Sequence, residues 1–253
     1  LRPDGLGMLI PVSRGVARDP DPKAAAQRYL EAINQERKTL AARTPAAAAE
    51  PEVPPALAEG LLQAGCIRFG NFTLKSGLQS PIYIDLRQLA SYPALLSEVA
   101  RAYLPLLKDL KYDRLAALPY AAMPIATAIS LQTGQPMLYP RKEAKAYGTK
   151  ADIEGEFNAG ETAVVIDDLT TTGGSKFEAI EKLTSAGLKV TDVVVLVDRQ
   201  SGAAEALQQA GIKLHAVLTL TRLIDYWEKT GRIPAEQVQA VRQIGRASWR
   251  ERV

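Results

Sequence analysis

Between residues 56 and 243 the sequence alternates short apolar runs with segments of helical periodicity, and this alternation restricts the fold more than any other feature. The apolar runs lie at 82–84, 115–118, 137–139, 163–166, 193–197 and 214–220. Helical spacing of apolar residues fits 92–109, 123–133, 174–187, 202–210 and 221–230. Because the runs are apolar throughout, they predict strands buried on both faces. Parallel strands need crossover connections, so the pattern predicts an α/β fold with a mostly parallel twisted sheet flanked by helices.

The composition excludes several kinds of site. The chain has 253 residues, a net charge of +3, one cysteine and one histidine. Cys66 and His215 alone cannot form an internal disulfide, a Cys/His zinc site or an unassisted Ser-His-Asp triad. The small net charge gives no strong field for nucleic acid, and no run of about 18 apolar residues predicts a membrane span. We therefore expect a cytoplasmic protein that binds neither nucleic acid nor membrane.

Composition also divides the chain into four segments. Residues 1–37 end in a helical pattern at 22–37. Residues 38–55 are rich in Ala, Pro and Glu and predict a linker. Residues 56–243 form the predicted α/β domain. The last ten residues, 244–253, resemble the translation of a sequencing-adapter read-through, so we expect a non-native tail there; a short basic terminal extension is the alternative.

The segment 163–175, Ala-Val-Val-Ile-Asp-Asp-Leu-Thr-Thr-Thr-Gly-Gly-Ser, carries the clearest functional signal. A buried strand would deliver Asp167 and Asp168 to its carboxyl end, where ligands bind in parallel sheets. The hydroxyls and glycines that follow, with the free amides of a helix that starts near Gly174, suit a phosphate monoester. Two carboxylates beside a phosphate suit sugar hydroxyls or a hydrated Mg²⁺. The alternative is that the two acids only cap the following turn, although adjacent carboxylates repel each other.

This pattern resembles the motif with which type I phosphoribosyltransferases bind 5-phosphoribosyl-1-pyrophosphate (PRPP). Its spacing is not that of a P-loop or of a dinucleotide-binding fingerprint. The resemblance implies that the acids hold the ribose hydroxyls and that the loop after them cradles the 5′-phosphate. It assigns PRPP binding to the residues that end the strand and open the helix: Asp167, Asp168, Leu169, Thr170, Thr171, Thr172, Gly173, Gly174 and Ser175.

Two further segments resemble orotate phosphoribosyltransferases, above all the transferase domain of bifunctional uridine monophosphate synthases. Residues 74–85, Leu-Lys-Ser-Gly-Leu-Gln-Ser-Pro-Ile-Tyr-Ile-Asp, match the N-terminal signature of that family. Residues 141–148, Arg-Lys-Glu-Ala-Lys-Ala-Tyr-Gly, match its catalytic loop. The resemblance covers roughly residues 56–230, with the motifs in the expected order. It implies a type I phosphoribosyltransferase fold with a small hood, and transfer of the phosphoribosyl group from PRPP to orotate.

The second of these segments is strongly cationic. Arg141, Lys142, Lys145 and Lys150 place four cations in ten residues. A cationic segment can close over a polyanion and neutralise a leaving pyrophosphate, and a solvated charged loop is the alternative. The resemblance assigns PRPP binding to Arg141, Lys142, Lys145 and Tyr147, the last at a position where many relatives carry His. It further implies that Lys145 is catalytic and acts in the active site of the neighbouring subunit of a homodimer.

The resemblance assigns other positions residue by residue. The pyrophosphate loop, 119–124, contributes Tyr120 and Ala121, and an unusual peptide geometry is common there. The residues expected to contact orotate are Lys75, Ile82, Tyr83, Thr171 and Arg199. An arginine suits the orotate carboxylate because its planar fork pairs bidentately. Core packing of the apolar pair, and a plain surface position for the lysine and the arginine, are the alternatives.

Near the start of the chain, residues 7–15 (Gly-Met-Leu-Ile-Pro-Val-Ser-Arg-Gly) resemble the last barrel strand of orotidine 5′-monophosphate decarboxylase. The resemblance implies that Arg14 corresponds to the arginine that grips the substrate phosphate, and that the helix at 22–37 closes the barrel. We therefore expect residues 1–37 to be the C-terminal fragment of a decarboxylase domain fused upstream. They are far too few for a TIM barrel of about 250 residues. An unrelated helical extension is the alternative.

Together these patterns predict an orotate phosphoribosyltransferase domain at residues 56–243, with orotate and PRPP as small-molecule substrates and Mg²⁺ as cofactor. Asp167 and Asp168 are expected to be catalytic together with Lys145, and to contact the metal indirectly. A purine phosphoribosyltransferase is one alternative, which Arg199 and the N-terminal signature disfavour. A PRPP-binding regulator without catalysis is the other, which the complete cationic loop disfavours.

Overall fold

The computed structural model of the chain describes residues 16, 18–43, 53–73, 77, 79–142 and 152–250. The chain divides into two compact units, Leu1–Glu52 and Val53–Val253. The boundary lies within the segment that composition predicts to be a linker. In the described part of the chain, no helix is both long enough and apolar enough to cross a membrane.

The first unit contains helix α1 (Pro22–Arg43). Oδ1 of Asp21 accepts a hydrogen bond of 3.0 Å from the backbone N–H of Ala24 and so caps the first turn. The pattern predicts that this helix ends at residue 37, and the structure extends it to Arg43. The added residues, Lys-Thr-Leu-Ala-Ala-Arg, are mostly good helix formers and include neither Pro nor Gly. The helix therefore occupies the first part of the predicted linker.

The second unit alternates strands and helices. The strands are β1 (Ile67–Thr73), β2 (Gln79–Ile84), β3 (Arg114–Ala117), β4 (Met137–Pro140), β5 (Ile153–Glu154), β6 (Ala163–Thr170), β7 (Asp192–Asp198) and β8 (Lys213–Thr219). The helices are α2 (Pro55–Gln63), α3 (Pro93–Leu107), α4 (Ala122–Thr133), α5 (Gly174–Ser185), α6 (Ala203–Gln209), α7 (Leu220–Lys229) and α8 (Ala235–Arg250), with a short 3-10 helix at Leu86–Ser91. Every strand and helix predicted in this unit occurs. The sequence pattern did not reveal α2, α8, β1 or β5.

Six strands form the main sheet in the order β5-β4-β3-β6-β7-β8. All neighbours are parallel except β4 and β5, which form an antiparallel hairpin. The central strand β6 pairs with β3 as far as Ile166↔Ala117 and with β7 as far as Thr170↔Asp198. The chain leaves β3 toward one edge of the sheet and leaves β6 toward the other. The predicted parallel α/β sheet is therefore confirmed, and the crevice between β3 and β6 is the switch point at which such sheets bind ligands.

Strands β1 and β2 form a separate two-stranded antiparallel sheet. The apolar run at 82–84 belongs to this small sheet and not to the parallel one. The pairing register shifts between Phe69 and Phe72, where Gly70 adopts a φ of +152° that side chains disfavour. The sequence pattern does not reveal β1 because its residues, Ile-Arg-Phe-Gly-Asn-Phe-Thr, place an arginine and a glycine inside the strand.

Both faces of the parallel sheet are buried, as its uninterrupted apolar strands predict. On one face Val164 and Ile166 belong to a core cluster that includes residues of α2, α3, α4, α7 and α8. On the other face Ala163 and Val165 belong to a second cluster with residues of α5 and α6. Side chains alternate along a strand, so β6 contributes to both cores in turn. Polar residues therefore appear only where β6 reaches the carboxyl edge.

Candidate active site

Strand β6 carries two acidic residues to the carboxyl edge of the sheet. Its first residues are fully buried, Asp167 is 7 % exposed, and Asp168 is half-buried. Nearby, the N–H of Leu118, just after β3, donates a hydrogen bond of 3.0 Å to the carbonyl of Ile166. This bond joins the ends of β3 and β6. The predicted carboxylates therefore lie at the switch point, where the fold binds ligands.

A cavity of about 330 Å³ opens beside these carboxylates. Its walls come from the ends of β3, β4 and β6 and from one side of α5. The predicted site residues that line it are Arg141, Lys142, Asp167, Asp168, Leu169, Thr171 and Ser175. The cavity is also lined by residues for which the sequence predicts no role, among them Lys176, Glu178 and Lys182. Acids, cations and hydroxyls thus share one cavity, of a size that holds a small phosphorylated ligand.

The Asp167 carboxylate is held in place by protein groups. Its Oδ2 lies 2.6 Å from Nζ of Lys176, a lysine that is only 3 % exposed. Oδ1 of Asp167 accepts a hydrogen bond of 2.9 Å from the N–H of Asp168. The backbone carbonyl of Asp167 accepts one of 2.8 Å from the hydroxyl of Tyr103. Lys176 Nζ also donates to the carbonyl of Leu169 at 2.5 Å. The buried ammonium is therefore satisfied without a ligand, and it fixes the orientation of Asp167.

Asp168 has a different environment. Among the described residues it forms no ion pair, and its side chain lines the cavity. Burial raises the pKa of Asp168 above its ordinary value, and the neighbouring Asp167 carboxylate raises this pKa further. A ligand that supplies hydroxyl donors or a cation would relieve this cost. Asp168 is therefore the carboxylate that is best placed to contact a ligand.

The residues after β6, 171–175, form a turn rich in hydroxyls and glycines, the phosphate turn, which leads into helix α5. Gly173 caps this helix at a φ of +92°, a left-handed conformation that favours glycine. Carbonyl O of Gly173 accepts from Lys176 N, so the first turn is formed, and the earliest N–H groups of the helix have no partner within it. The exposed hydroxyls of Thr172 and Ser175 add donors beside these groups. This arrangement can bind the oxygens of a phosphate.

One predicted phosphate contact needs correction. Thr170 is fully buried, and its Oγ1 has no hydrogen-bond partner among the described residues. Thr170 is the last residue of β6 and does not line the cavity, although Asp167, Asp168 and Leu169 of the same strand do. Thr171, one residue later, does line the cavity. The sequence motif alone could not separate the last strand residue from the first loop residue.

The predicted pyrophosphate-binding residues meet at the ends of β3 and β4. The peptide bond between Pro119 and Tyr120 is cis, in line with the unusual geometry expected there. Nζ of Lys142 lies 5.1 Å from the centre of the Tyr120 ring. An adjoining cavity of about 360 Å³ is lined by both of these residues, by Tyr139 and by Arg141. Ala121 occupies the N-cap position of the following helix α4.

Arg141 is engaged by the neighbouring strand. Its Nη1 lies 2.6 Å from Oε1 of Glu154 on β5. Its backbone N–H donates to the carbonyl of Asp152 at 2.7 Å and thereby continues the β4–β5 hairpin. The guanidinium is about one-third exposed. Its predicted contact with PRPP stays a prediction.

The predicted orotate residues do not all converge. Arg199 follows β7; its Nε is buried without a hydrogen-bond partner among the described residues, and burial lowers its pKa. Tyr83 lies on the small sheet, its ring 5.5 Å from that of Phe72 and under the guanidinium of Arg68. Ile82 is 3 % exposed and belongs to the core. For Ile82 this position supports the alternative of core packing, and neighbouring strand residues such as Tyr83 face the opposite side.

Several predicted positions lie outside the described residues. They are Arg14, Lys75, Lys145 and Tyr147. Their roles therefore stay predictions. Conversely, the structure adds Lys176 and Lys182 to the site. Neither has a sequence signal beyond its place in the helix that follows the acidic motif.

The carboxylates also define what metal chemistry is available. Among the described residues no group of three or more His, Cys, Asp and Glu could hold a metal ion. Asp167 and Asp168 offer the hard oxygen donors that Mg²⁺ prefers, although one oxygen of Asp167 is engaged by Lys176. Mg²⁺ commonly binds one or two carboxylates and takes its other ligands from water and substrate phosphates. The two carboxylates fit that mode of binding and do not fit a site in which protein residues supply every ligand.

Comparisons with known proteins bear on the same domain. A scan against models of protein families gives no match. The chain is 40% identical over 250 residues to the bifunctional enzyme PyrF/PyrE of Nostoc sp., an alignment that covers 95% of the chain and 52% of the relative. It is 38% identical over 167 residues to the orotate phosphoribosyltransferase of Pyrococcus furiosus, which covers 65% of the chain and 92% of that enzyme.

A solved structure, that of Leishmania donovani UMP synthase, matches with a TM-score of 0.70 and 49% identity over 96% of the chain and 51% of its own length. The chain thus spans about half the length of these two longer relatives. The Pyrococcus enzyme, in contrast, is matched over nearly its whole length. The chain therefore belongs to the orotate phosphoribosyltransferase family.

Proposed function

We propose that residues 56–243 transfer the 5-phosphoribosyl group of PRPP to orotate, giving orotidine 5′-monophosphate and pyrophosphate. One observation carries the proposal: a single cavity at the switch point of the sheet is lined by the acids Asp167 and Asp168, by hydroxyl residues of the turn after them, and by the cations Arg141 and Lys142. PRPP presents a sugar diol, a 5′-phosphate and a pyrophosphate, which are complementary to these three groups. Family membership supports the same reaction.

The chemistry follows from where charge develops. The C1′–O bond breaks with its electron pair leaving on pyrophosphate, and N1 of orotate forms the new bond to C1′ as its proton is lost. Arg141 and Lys142 at the cavity wall stabilise the leaving negative charge. Asp168 and Asp167 orient the ribose and offer negative charge near the developing cation. Preorganised groups of this kind cost no rearrangement at the moment of reaction.

Mg²⁺ is part of this proposal. When bound, it would neutralise the charge on pyrophosphate oxygens and so make pyrophosphate a better leaving group. The residues that would hold it are Asp167 and Asp168, directly or through water. Because Lys176 already engages Asp167, Asp168 is the more available of the two.

The base preference follows from the end of β7. The buried Nε of Arg199 is a donor without a partner among the described residues, and an unpaired buried donor is costly. A carboxylate on the base would pair with it, and orotate has such a carboxylate whereas purine bases do not. This observation favours orotate over a purine as the acceptor.

The wider assembly is also a proposal. We infer that residues 1–37 are the end of a fused decarboxylase domain, which is supported by the alignment of almost the whole chain with a bifunctional relative. We further infer a cytoplasmic homodimer in which Lys145 of one subunit serves the active site of the other. Cross-complementation between a Lys145→Ala chain and an Asp168→Asn chain tests the shared site: mixed dimers regain activity if it is shared, and stay inactive if it is not.

The activity is tested by following orotate absorbance in the purified chain with PRPP and Mg²⁺, omitting each component in turn. Loss of orotate that requires both substrates is the expected result. Turnover of adenine or hypoxanthine in place of orotate would support the purine alternative, and saturable PRPP binding without any turnover would support a regulator. Arg199→Gln should raise the orotate KM by roughly tenfold or more, the value of a charge-assisted hydrogen bond, and leave the PRPP KM unchanged.

A further inference from the structure

Lys182 makes an unusual set of contacts for a lysine near the end of a helix. It lies in the last turn of α5, and its Nζ donates a hydrogen bond of 2.7 Å to the backbone carbonyl of Arg141. A second carbonyl, that of Lys142, lies 3.4 Å from the same Nζ. Both acceptors are about forty residues earlier in the chain, just after β4. The ammonium thus ties α5 to the segment that carries the two cations of the cavity wall.

A nearer partner is available and is not used. Glu178 precedes Lys182 by one helical turn, the spacing at which a lysine and a glutamate normally pair. Among the described residues, the hydrogen bonds of Lys182 Nζ go instead to the two carbonyls. The side chain is half-buried and lines the 330 Å³ cavity. Its orientation therefore serves a contact across the fold and not an ion pair within its own helix.

Both partners of this contact line the same cavity. Helix α5 begins at the phosphate turn, and Arg141 and Lys142 line the same cavity. Glu154 holds the guanidinium of Arg141 from the β5 side, while Lys182 holds its backbone from the α5 side. Lys182 thus links the helix that follows the phosphate turn to the backbone of the two cations just after β4.

We propose that Lys182 is a positioning residue for the transferase reaction, holding the backbone of Arg141 and Lys142 so that their side chains face the pyrophosphate of PRPP. The inference rests on the proposed function. Lys182 does not touch the substrate; it acts through the two cations. Its loss should affect the steps that involve pyrophosphate and spare those that involve orotate.

The alternative is a purely structural role. A cation in the last turn of a helix stabilises the helix by interacting with its dipole, and Lys182 has that position. Such a role would lower thermal stability without separating the two substrates kinetically. A kinetic separation between PRPP and orotate therefore distinguishes the two roles.

The test compares Lys182→Met, Lys182→Arg and a control, Lys229→Met, on the exposed surface of α7. In Lys182→Met we expect kcat/KM for PRPP to fall roughly tenfold, the worth of one charge-assisted hydrogen bond, and inhibition by inorganic pyrophosphate to weaken in parallel. The orotate KM should change less than about twofold. Lys182→Arg should recover most of the loss because a guanidinium can donate to the same carbonyls, and the control should match the unaltered chain.

Each outcome decides the matter. If the unaltered chain has no transferase activity, the proposed function fails and this inference fails with it. If that chain is active and Lys182→Met keeps its kcat/KM for PRPP, or loses PRPP and orotate affinity equally, the positioning role alone is overturned. Should Lys182→Met not fold, Lys182→Ala replaces it, since alanine also removes the donor to the two carbonyls; an unchanged kcat/KM for PRPP in that variant overturns the role as well.

Discussion

The two ends of strand β6 use charge in opposite ways. Just before its amino end, the carboxylate of Glu161 accepts hydrogen bonds of 2.7 Å and 2.9 Å from Nε and Nη2 of Arg114. At its carboxyl end, Asp167 shares one lysine with a backbone carbonyl, and Asp168 beside it forms no ion pair among the described residues. The amino end is therefore electrostatically complete without a ligand, whereas the carboxyl end is not.

The pKa values of the acids follow the same division. Hydrogen bonds from Arg114 lower the pKa of Glu161 from 4.5 to about 2. Burial raises the pKa of Asp198, which ends the neighbouring strand β7, and burial together with Asp167 raises that of Asp168. An acid with a lowered pKa stabilises the fold when ionised, and one with a raised pKa costs stability when ionised. One edge of the sheet thus serves stability and the other serves binding, at some cost in stability.

The largest effect is expected from breaking the buried pair at the carboxyl end. Lys176→Met leaves the Asp167 carboxylate buried beside another acid without its cation, so the free energy of unfolding should fall by about 3–5 kcal/mol. Urea unfolding measures this loss, with exposed Lys229→Met as the matched control. The double variant Lys176→Met/Asp167→Asn should recover part of it, because neither charge is then left alone. A single variant as stable as the control would contradict the structural role of the pair.

Asp168→Asn should separate activity from stability. The variant loses the carboxylate best placed to contact the ribose or the metal, so kcat should fall by roughly 100-fold or more, which is the value of a lost electrostatic group in an active site. It also removes a carboxyl whose ionised form is disfavoured by burial and by Asp167, so the melting temperature should not fall. Both quantities are measured on one preparation. Retained activity, or destabilisation as large as that of Lys176→Met, would contradict the division between the two acids.

Local patterns made the acidic motif predictable. Strand, turn and helix start follow one another within 163–175, so each residue's environment is set by its near neighbours, and the sheet order follows from buried strands that alternate with helices. The motif did not distinguish Thr170, which is buried in the strand, from Thr171, which lines the cavity. Strand β1 was not predicted because Arg68 and Gly70 interrupt its apolar pattern.

Long-range partners made the rest unpredictable. A lysine in a helical pattern is expected to face solvent, yet Lys176 is buried and Lys182 reaches back 41 residues to the β4 segment. Neither contact leaves a periodic trace because each depends on how α5 docks against the sheet. Ile82 is the converse case: a motif match suggested ligand contact, whereas strand alternation sends its side chain into the core. The sequence pattern thus predicted a candidate site but could not assign the positioning groups.

A smaller effect, with a characteristic pH dependence, is expected at Asp198. This acid is 8 % exposed, and its Oδ1 accepts a hydrogen bond of 2.7 Å from the N–H of Gln200. Asparagine at this position keeps an oxygen that can accept the same bond. Its folded pKa is raised above 3.8, so the stability of the unaltered chain falls as the pH rises above that value. Asp198→Asn should therefore be more stable than the unaltered chain at about pH 7 and equally stable at about pH 3. Melting temperatures across this range measure the difference, and a pH-independent difference would contradict burial as the cause.

The smallest effect should come from the amino end, with the opposite sign. The folded pKa of Glu161 lies below its ordinary value of 4.5, so its ion pair stabilises the fold above about pH 4.5, and this contribution is lost as the pH falls toward 2. Glu161→Gln should therefore be less stable than the unaltered chain near about pH 7, and the difference should shrink as the pH is lowered. The loss should be modest because the pair lies near the surface, where solvent screens it. Urea unfolding at both pH values checks this. If Glu161→Gln and Asp198→Asn shift stability in the same direction at neutral pH, the two edges of the sheet do not differ as proposed.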